Sequence, residues 1–256
     1  MNKKTLVIET QNLAVEQRLY STNQAIFAGE QIHLLGANGA GKSTLLAALS
    51  GYIAYTGTVF LNNVNLKDFA VQTLAKHRSY LTQQTGIAPS LKVFQYLSLF
   101  IDQHVVPPTI FSELCEDFQL SPLLAKPINQ LSGGEWQRIR IVAVFLQVWD
   151  RDCLSGKIIL FDEPINNLDI IQQGMLDKWV KCFCHCAGTV IMSGHNLSHS
   201  YKNASRIWMM KKGAIIYAGE PDNVMTESHL SDVFMADIKL NQSSSNKVWQ
   251  INDHTN

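Results

Sequence analysis

The sequence predicts an α/β fold arranged around a phosphate-binding loop, and two observations carry that prediction. The apolar run Gln31-Ile32-His33-Leu34-Leu35 ends in Gly36, and helix formers extend from Lys42 to Leu49, stopped by Gly51. A strand, a glycine-rich loop and a helix therefore follow one another in the order that phosphate binding requires. The second run, Ile158-Ile159-Leu160-Phe161, ends in the carboxylates Asp162 and Glu163. Four apolar residues suit a central parallel strand, whose carboxyl end is where ligands bind in such sheets.

Along the chain, Val7 to Glu9 and Leu13 to Val15 read as short strands, as do Gly57 to Leu61 and Arg78 to Leu81. From about Ala88 to Gln130, Pro89, Pro107, Pro108, Pro122 and Pro127 punctuate segments of helical periodicity such as Val93, Leu97 and Phe100. This predicts an inserted helical subdomain at about 88–145, with a long helix from Gly133 to Leu146. Lys157 to Phe161 and Thr189 to Met192 are buried strands. Ile171, Met175, Trp179 and Phe183 recur at four-residue steps and predict one apolar, core-packing helix face. Arg206 to Met210 and Ala214 to Tyr217, joined by Lys211-Lys212-Gly213, predict a hairpin. Pro221 sits where a helix can begin. With no internal repeat, residues 1–240 form a single domain, and the polar stretch Asn241 to Asn256 is expected to be a mobile tail.

Composition narrows the partners. The 256 residues are 46% hydrophobic, enough for one substantial core. Charged residues make up 16%, against roughly 25% in average proteins, and the formal net charge is zero. Without a basic surface, nucleic acid is not an expected partner. The most apolar segment, Ile139 to Trp149, is too short to cross a bilayer as a helix. MNKKTLVIET lacks the apolar stretch of a signal peptide. The expectation is a cytoplasmic protein, either soluble or attached to a membrane through other subunits. Five cysteines fit a reducing compartment. Cys182, Cys184 and Cys186 fall at alternating positions near a helix end that are not expected to share a face, so they do not converge as metal ligands do.

Gly36-Ala37-Asn38-Gly39-Ala40-Gly41-Lys42-Ser43-Thr44 matches G-x-x-x-x-G-K-[ST] in full. Its glycines let successive N–H groups turn towards phosphate oxygens where a Cβ would obstruct the loop. Lys42 brings a compact positive charge to the β- and γ-phosphates, Ser43 offers a hydroxyl to Mg²⁺, and the helix start adds its dipole. Adjacent strand residues point to opposite sides, so Asp162 and Glu163 divide two roles. Asp162 holds Mg²⁺ through a water, and Glu163 polarises the attacking water as general base.

Leu131-Ser132-Gly133-Gly134-Glu135 opens a helix with a serine and two glycines. Together with the two motifs above, it resembles the signature of the ABC ATPase family. That resemblance covers roughly residues 5 to 225 and implies a phosphate-loop ATPase core with an antiparallel β subdomain and an inserted helical one. It implies that Ser132, Gly133, Gly134 and Glu135 reach the γ-phosphate of an ATP held by a second copy of the chain. Gln83 resembles the glutamine that contacts Mg²⁺ and couples to the transmembrane partner, with Gln84 as the alternative. Asn167-Leu168-Asp169 resembles the loop that crosses the dimer interface, although Ser-Ala-Leu-Asp is more usual there. His195 resembles the switch histidine at the γ-phosphate. ATP and Mg²⁺ are the implied cofactors. Transmembrane permease subunits and, indirectly, a periplasmic substrate-binding protein are the implied partners, at the cytoplasmic face of the inner membrane.

Two departures matter. The family places an aromatic residue upstream of the loop to stack on adenine, whereas Leu13 to Gln17 offers none and Tyr20 stands closer to Lys42 than expected. The link from Phe145 to Lys157 is longer than usual. With Leu131 to Arg138 and Tyr80 to Gln84, that link resembles the branch of the family serving cobalamin import; iron-siderophore and haem importers are its neighbours. A soluble ABC protein of DNA repair or translation is a distant alternative, for which no coiled coil, tandem core or basic extension is present.

Overall fold

The computed structural model describes residues 5–83, 86, 89–101, 106–151, 153–243 and 246–251. Gln84, the alternative to Gln83, lies outside the described residues. The chain opens with strands β1 (Leu6–Val15), β2 (Leu19–Thr22), β3 (Ala25–Phe27) and β4 (Gln31–Leu35), then helix α1 (Lys42–Ser50). Strands β5 (Thr56–Leu61) and β6 (Val64–Asn65), helix α2 (Val71–His77) and strand β7 (Arg78–Leu81) follow. Helices α3 (Val93–Ser98), α4 (Pro108–Asp117) and α5 (Gly133–Val148) separate β7 from β8 (Ile158–Phe161). The remainder is α6 (Ile170–His185), β9 (Thr189–Ser193), α7 (Leu197–Asn203), β10 (Arg206–Lys211), β11 (Ala214–Gly219), α8 (Pro221–Val224), α9 (Glu227–Phe234), β12 (Ile238–Ser243) and β13 (Asn246–Ile251).

Two sheets share the core. The smaller is antiparallel, in order β2-β1-β5-β6, with β3 also paired to β1. The larger has order β11-β10-β4-β9-β8-β7 and is parallel from β10 to β7. Its inner strands β4, β8 and β9 are buried along their whole length, as apolar runs covered on both faces must be. Leu45, Leu46 and Leu49 of α1 fill the space between this sheet and β1 and β5. On the other face, α5 and α6 pack Phe145, Trp179 and Phe183 into a second cluster, which continues to Val93, Leu97 and Leu114 of α3 and α4. Trp149, in the long link before β8, is buried against Trp179 with ring centres 5.4 Å apart.

Four sequence expectations change. The two short N-terminal strands are one ten-residue strand. Asn12, at φ 52°, shifts the pairing with β5 between Gln11 and Ala14, and this bulge breaks the alternation in the sequence. The apolar face of α6 is Leu176, Trp179, Val180 and Phe183, whereas Ile171 is 61% exposed. Strict four-residue steps rotate by about 40° each around a helix, so Ile171 has left the stripe by the time Phe183 faces the core. Cys182 and Cys186 do share a face, four residues apart, and are hydrogen-bonded to each other. The expected tail from residue 241 is instead part of the β12–β13 hairpin as far as Ile251, anchored by Trp249 edge-on to Tyr201 at 5.2 Å.

Candidate nucleotide site

The strand order β4-β9-β8-β7 brings four loops together at one edge of the large sheet. The loop after β4 carries the phosphate-binding motif, and those after β7, β8 and β9 carry Gln83, Asp162 with Glu163, and His195. They surround a pocket of about 720 Å³ lined by the loop from Asn38 to Thr44, Gln83, Glu163 and His195. Of the sequence-predicted phosphate, magnesium and catalytic residues, Asn38 to Thr44, Gln83, Glu163 and His195 line this pocket, whereas Gly36, Ala37 and Asp162 do not.

Backbone strain shapes the loop. Gly39 and Gly41 have φ of 78° and 102°, values open to glycine and costly for other residues. A Cβ on Gly36 would lie 2.4 Å from the Met210 carbonyl oxygen, so β10 presses directly on the loop. Lys42 is 6% exposed and donates to the carbonyls of Gly36 at 2.7 Å and Ala37 at 3.1 Å. Burial lowers its pKa, while the nearby Glu163 and Asp162 pull in the opposite direction. An ammonium that is desolvated but still held among carbonyls is ready to exchange those partners for phosphate oxygens.

The carboxylate side is equally constrained. Asp162 is 3% exposed, and its Oδ1 accepts a 2.7 Å hydrogen bond from the Ser193 hydroxyl. That hydroxyl in turn accepts the Glu163 N–H at 2.9 Å, so β9 fixes both acids. Glu163 has φ 51°, an uncommon conformation for a side-chain-bearing residue, held here by its surroundings. Its Oε2 accepts from Gln83 Nε2 and Asn166 Nδ2, each at 2.7 Å, and its Oε1 lies 2.5 Å from His195 Nε2. Three side chains thus fix one carboxylate that lines the pocket beside the phosphate loop. Ser43 and Gln83 line the pocket with a hydroxyl and an amide, and with the buried Asp162 carboxylate they make up the hard oxygen donor set that magnesium prefers.

Ser132 to Glu135 and Asp169 do not line this pocket. Ser132 and Glu135 form a reciprocal cap at the start of α5: Ser132 N–H donates to Glu135 Oε2 at 2.8 Å, and Glu135 N–H donates to Ser132 Oγ at 3.2 Å. This cap lowers the Glu135 pKa. Asp169 caps α6 by accepting the Gln172 N–H at 2.8 Å. The two caps touch, because a Cβ on Gly134 would stand 2.9 Å from the Asn167 carbonyl oxygen.

Sequence reasoning missed Ser193 and Asn166, whose signal was their position at the ends of a buried strand and of the Asp162-Glu163 turn. It noted Tyr20 without placing it in the pocket, whose other end is formed by Gln17, Arg18, Leu19, Tyr20, Lys212 and Gly213. Tyr20 is 70% exposed there. Its N–H donates to the Gly213 carbonyl at 2.8 Å, and Gly213 N–H donates to Ala40 at 2.9 Å. An aromatic ring therefore does stand beside the phosphate loop, supplied by β2 and fixed by the β10–β11 turn.

These motifs on this sheet define an ATP-binding cassette, and the chain belongs to the ABC transporter family, whose profile matches residues 19–166. Among curated relatives, the vitamin B12 import ATP-binding protein BtuD of Photorhabdus laumondii is 46% identical over 240 residues, covering 93% of this chain and 95% of the relative. BtuD of Yersinia pseudotuberculosis is 39% identical over 239 residues, covering 92% and 94%. Among solved structures, the ATP-binding subunit of an ABC transporter superposes with a TM-score of 0.75 at 21% identity, covering 85% of this chain and 91% of that one, and supports the fold.

Proposed function

We propose that this chain hydrolyses ATP as the paired, membrane-peripheral subunit of a vitamin B12 importer. The observation that carries the hydrolytic reading is the Glu163 carboxylate, held by Gln83, Asn166 and His195 at the mouth of the phosphate loop. The similarity to vitamin B12 import ATP-binding proteins supports the substrate.

In this reading Lys42 and the loop N–H groups hold the β- and γ-phosphates, and Tyr20 stacks on the base. Glu163 takes the proton of the attacking water, and His195 senses the γ-phosphate. Ser43, Gln83 and Asp162 would hold magnesium, which would supply charge neutralisation to the phosphates. The helix start at Ser132, Gly133 and Gly134, with Glu135 and the Asp169 loop, completes the site of a second copy. Closure of the pair on two ATP molecules drives permease subunits at the cytoplasmic face of the inner membrane, served by a periplasmic binding protein. Among the described residues no helix is long and apolar enough to cross a membrane, which accords with peripheral attachment.

The test is coupled activity. The chain is copurified with its membrane partner, placed in lipid vesicles, and ATP hydrolysis is measured with and without vitamin B12-loaded binding protein. Stimulation supports the assignment. Stimulation by a haem- or siderophore-loaded binding protein instead reassigns the cargo, and absence of any membrane partner overturns transport.

A further inference from the structure

The side chains of α5 behind the site make a connection that the catalytic groups do not explain. Strands β7 and β8 run in register to Leu81 and Phe161, and Asp162 N–H adds a ladder hydrogen bond to the Leu81 carbonyl at 2.9 Å. Just beyond that rung the two segments carry Gln83 and Glu163, whose side chains meet on the pocket side. On the opposite side, Arg140 Nη2 donates to the Thr82 carbonyl at 2.6 Å and lies 3.3 Å from the Thr82 hydroxyl. Arg140 Nη1 donates to Gln137 Oε1 at 3.1 Å, and Gln137 Nε2 donates to the Pro164 carbonyl at 2.9 Å. Thr82 precedes Gln83 and Pro164 follows Glu163, so the bonds close a ring around the glutamine–glutamate contact.

Arg140 and Gln137 are both buried, at 9% and 7% exposure. Among the described residues no carboxylate pairs with Arg140; its hydrogen-bond partners are two side-chain oxygens and one carbonyl. Burying a guanidinium beside neutral acceptors alone is costly, and burial accordingly lowers its pKa. Its charge strengthens the hydrogen bond to the Thr82 carbonyl, and its planar fork fixes two directions at once. Glu163 needs such support, because its left-handed backbone persists only if the residues on either side are held. Ser193 holds its N–H and Gln137 holds the next carbonyl.

We propose that Gln137 and Arg140 are positioning residues for ATP hydrolysis, locking the segment entering Gln83 to the segment leaving Glu163. The inference rests on the hydrolytic reading above. Neither residue touches the nucleotide pocket, so they act on turnover and not on ATP binding. Disturbing the ring lets the Glu163 carboxylate drift from the place where Gln83, Asn166 and His195 hold it, and misplacement of about 1 Å is enough to cost up to about a hundredfold in rate.

The test uses the full-length chain purified with its membrane partner, with kcat and KM from steady-state ATP hydrolysis, Kd from a fluorescent ATP analogue, and Tm from thermal unfolding. Gln137→Met and Arg140→Met are expected to lower kcat about tenfold to a hundredfold while changing Kd less than about threefold. The double variant is expected to lose no more than the worse single one, because the two residues share one ring. Arg140→Lys, which keeps the charge at Thr82 without the fork, is expected to fall between. A kcat within about twofold of the parent in both Met variants overturns the proposal. So does a parallel fall of kcat, affinity and Tm, which would make the ring a support of the fold only. A parent complex without ATPase activity overturns the hydrolytic reading, and the positioning role with it; an active parent with unaffected variants overturns the positioning role alone.

Discussion

At the scale of single residues, the site separates binding from chemistry. In the proposed mechanism Lys42, buried among its own loop carbonyls, serves phosphate binding, whereas Glu163, held by three side chains, serves the attack of water. Glu163→Gln keeps the shape and removes the base, so ATP affinity should persist while turnover falls by about 10²–10⁴-fold; single-turnover hydrolysis of radiolabelled ATP measures this. A rate equal to the parent's would remove Glu163 from the base role. At the pocket's far end, Tyr20→Ala should weaken ATP binding by about 1–3 kcal/mol, the range of one base–aromatic stack. Because that contact is equal in ground and transition states, KM should rise with kcat at saturation unchanged. An unchanged KM would mean that Tyr20 merely borders the site. This end of the pocket was illegible in the sequence because β2 and the turn at Lys212 and Gly213 are far apart in the chain and meet only through the hydrogen bonds to Gly213.

At the scale of elements, one buried polar cluster joins the phosphate-loop strand to the helix after His195. His33 on β4 hydrogen-bonds Ser200 of α7 and Gln31 at 3.0 Å each, and stacks at 5.6 Å on His199, which contacts Asp177 of α6. Burial first, and the charge of His199 second, lower the His33 pKa to about 3. Above an unfolded-state value of about 6.5, His33 is neutral in both states and contributes no pH dependence. As pH falls below that value the unfolded chain takes the proton and the folded chain refuses it, so stability is lost. The slope approaches about 1.4 kcal/mol per pH unit. His33→Gln should therefore flatten the loss of stability between pH 7 and pH 5, read from urea-unfolding midpoints. Equal slopes in the two proteins would show that another group dominates. Elements themselves were legible where local chemistry is strict: β4 and β8 end where their apolar runs end, and Gly51 closes α1. They were illegible where tertiary pairing overrides local pattern, as at the Asn12 bulge, the α6 stripe and the β12–β13 hairpin.

At the scale of the whole molecule, the two signature glycines answer to different demands. Gly134 is required within one chain, since its missing Cβ makes room for the Asn167 carbonyl. Gly133 has no atom within 4 Å of where a Cβ would stand and no positive φ. A lone chain has no need of glycine there, and helix propensity does not call for it at this first position of α5 either. The space beside Gly133 makes sense if a second copy brings its nucleotide phosphates to this helix start, where the N–H groups of Gly133 and Gly134 have no acceptor among the described residues. Gly133→Leu is then expected to keep or slightly raise the Tm of the 28.7 kDa chain and to leave its ATP affinity unchanged. Placed in the Glu163→Gln background, it should abolish the ATP- and magnesium-dependent doubling of mass that light scattering is expected to show for Glu163→Gln alone. If the double variant still pairs, the opening at Gly133 faces solvent and the two-copy sandwich must be assembled through another surface.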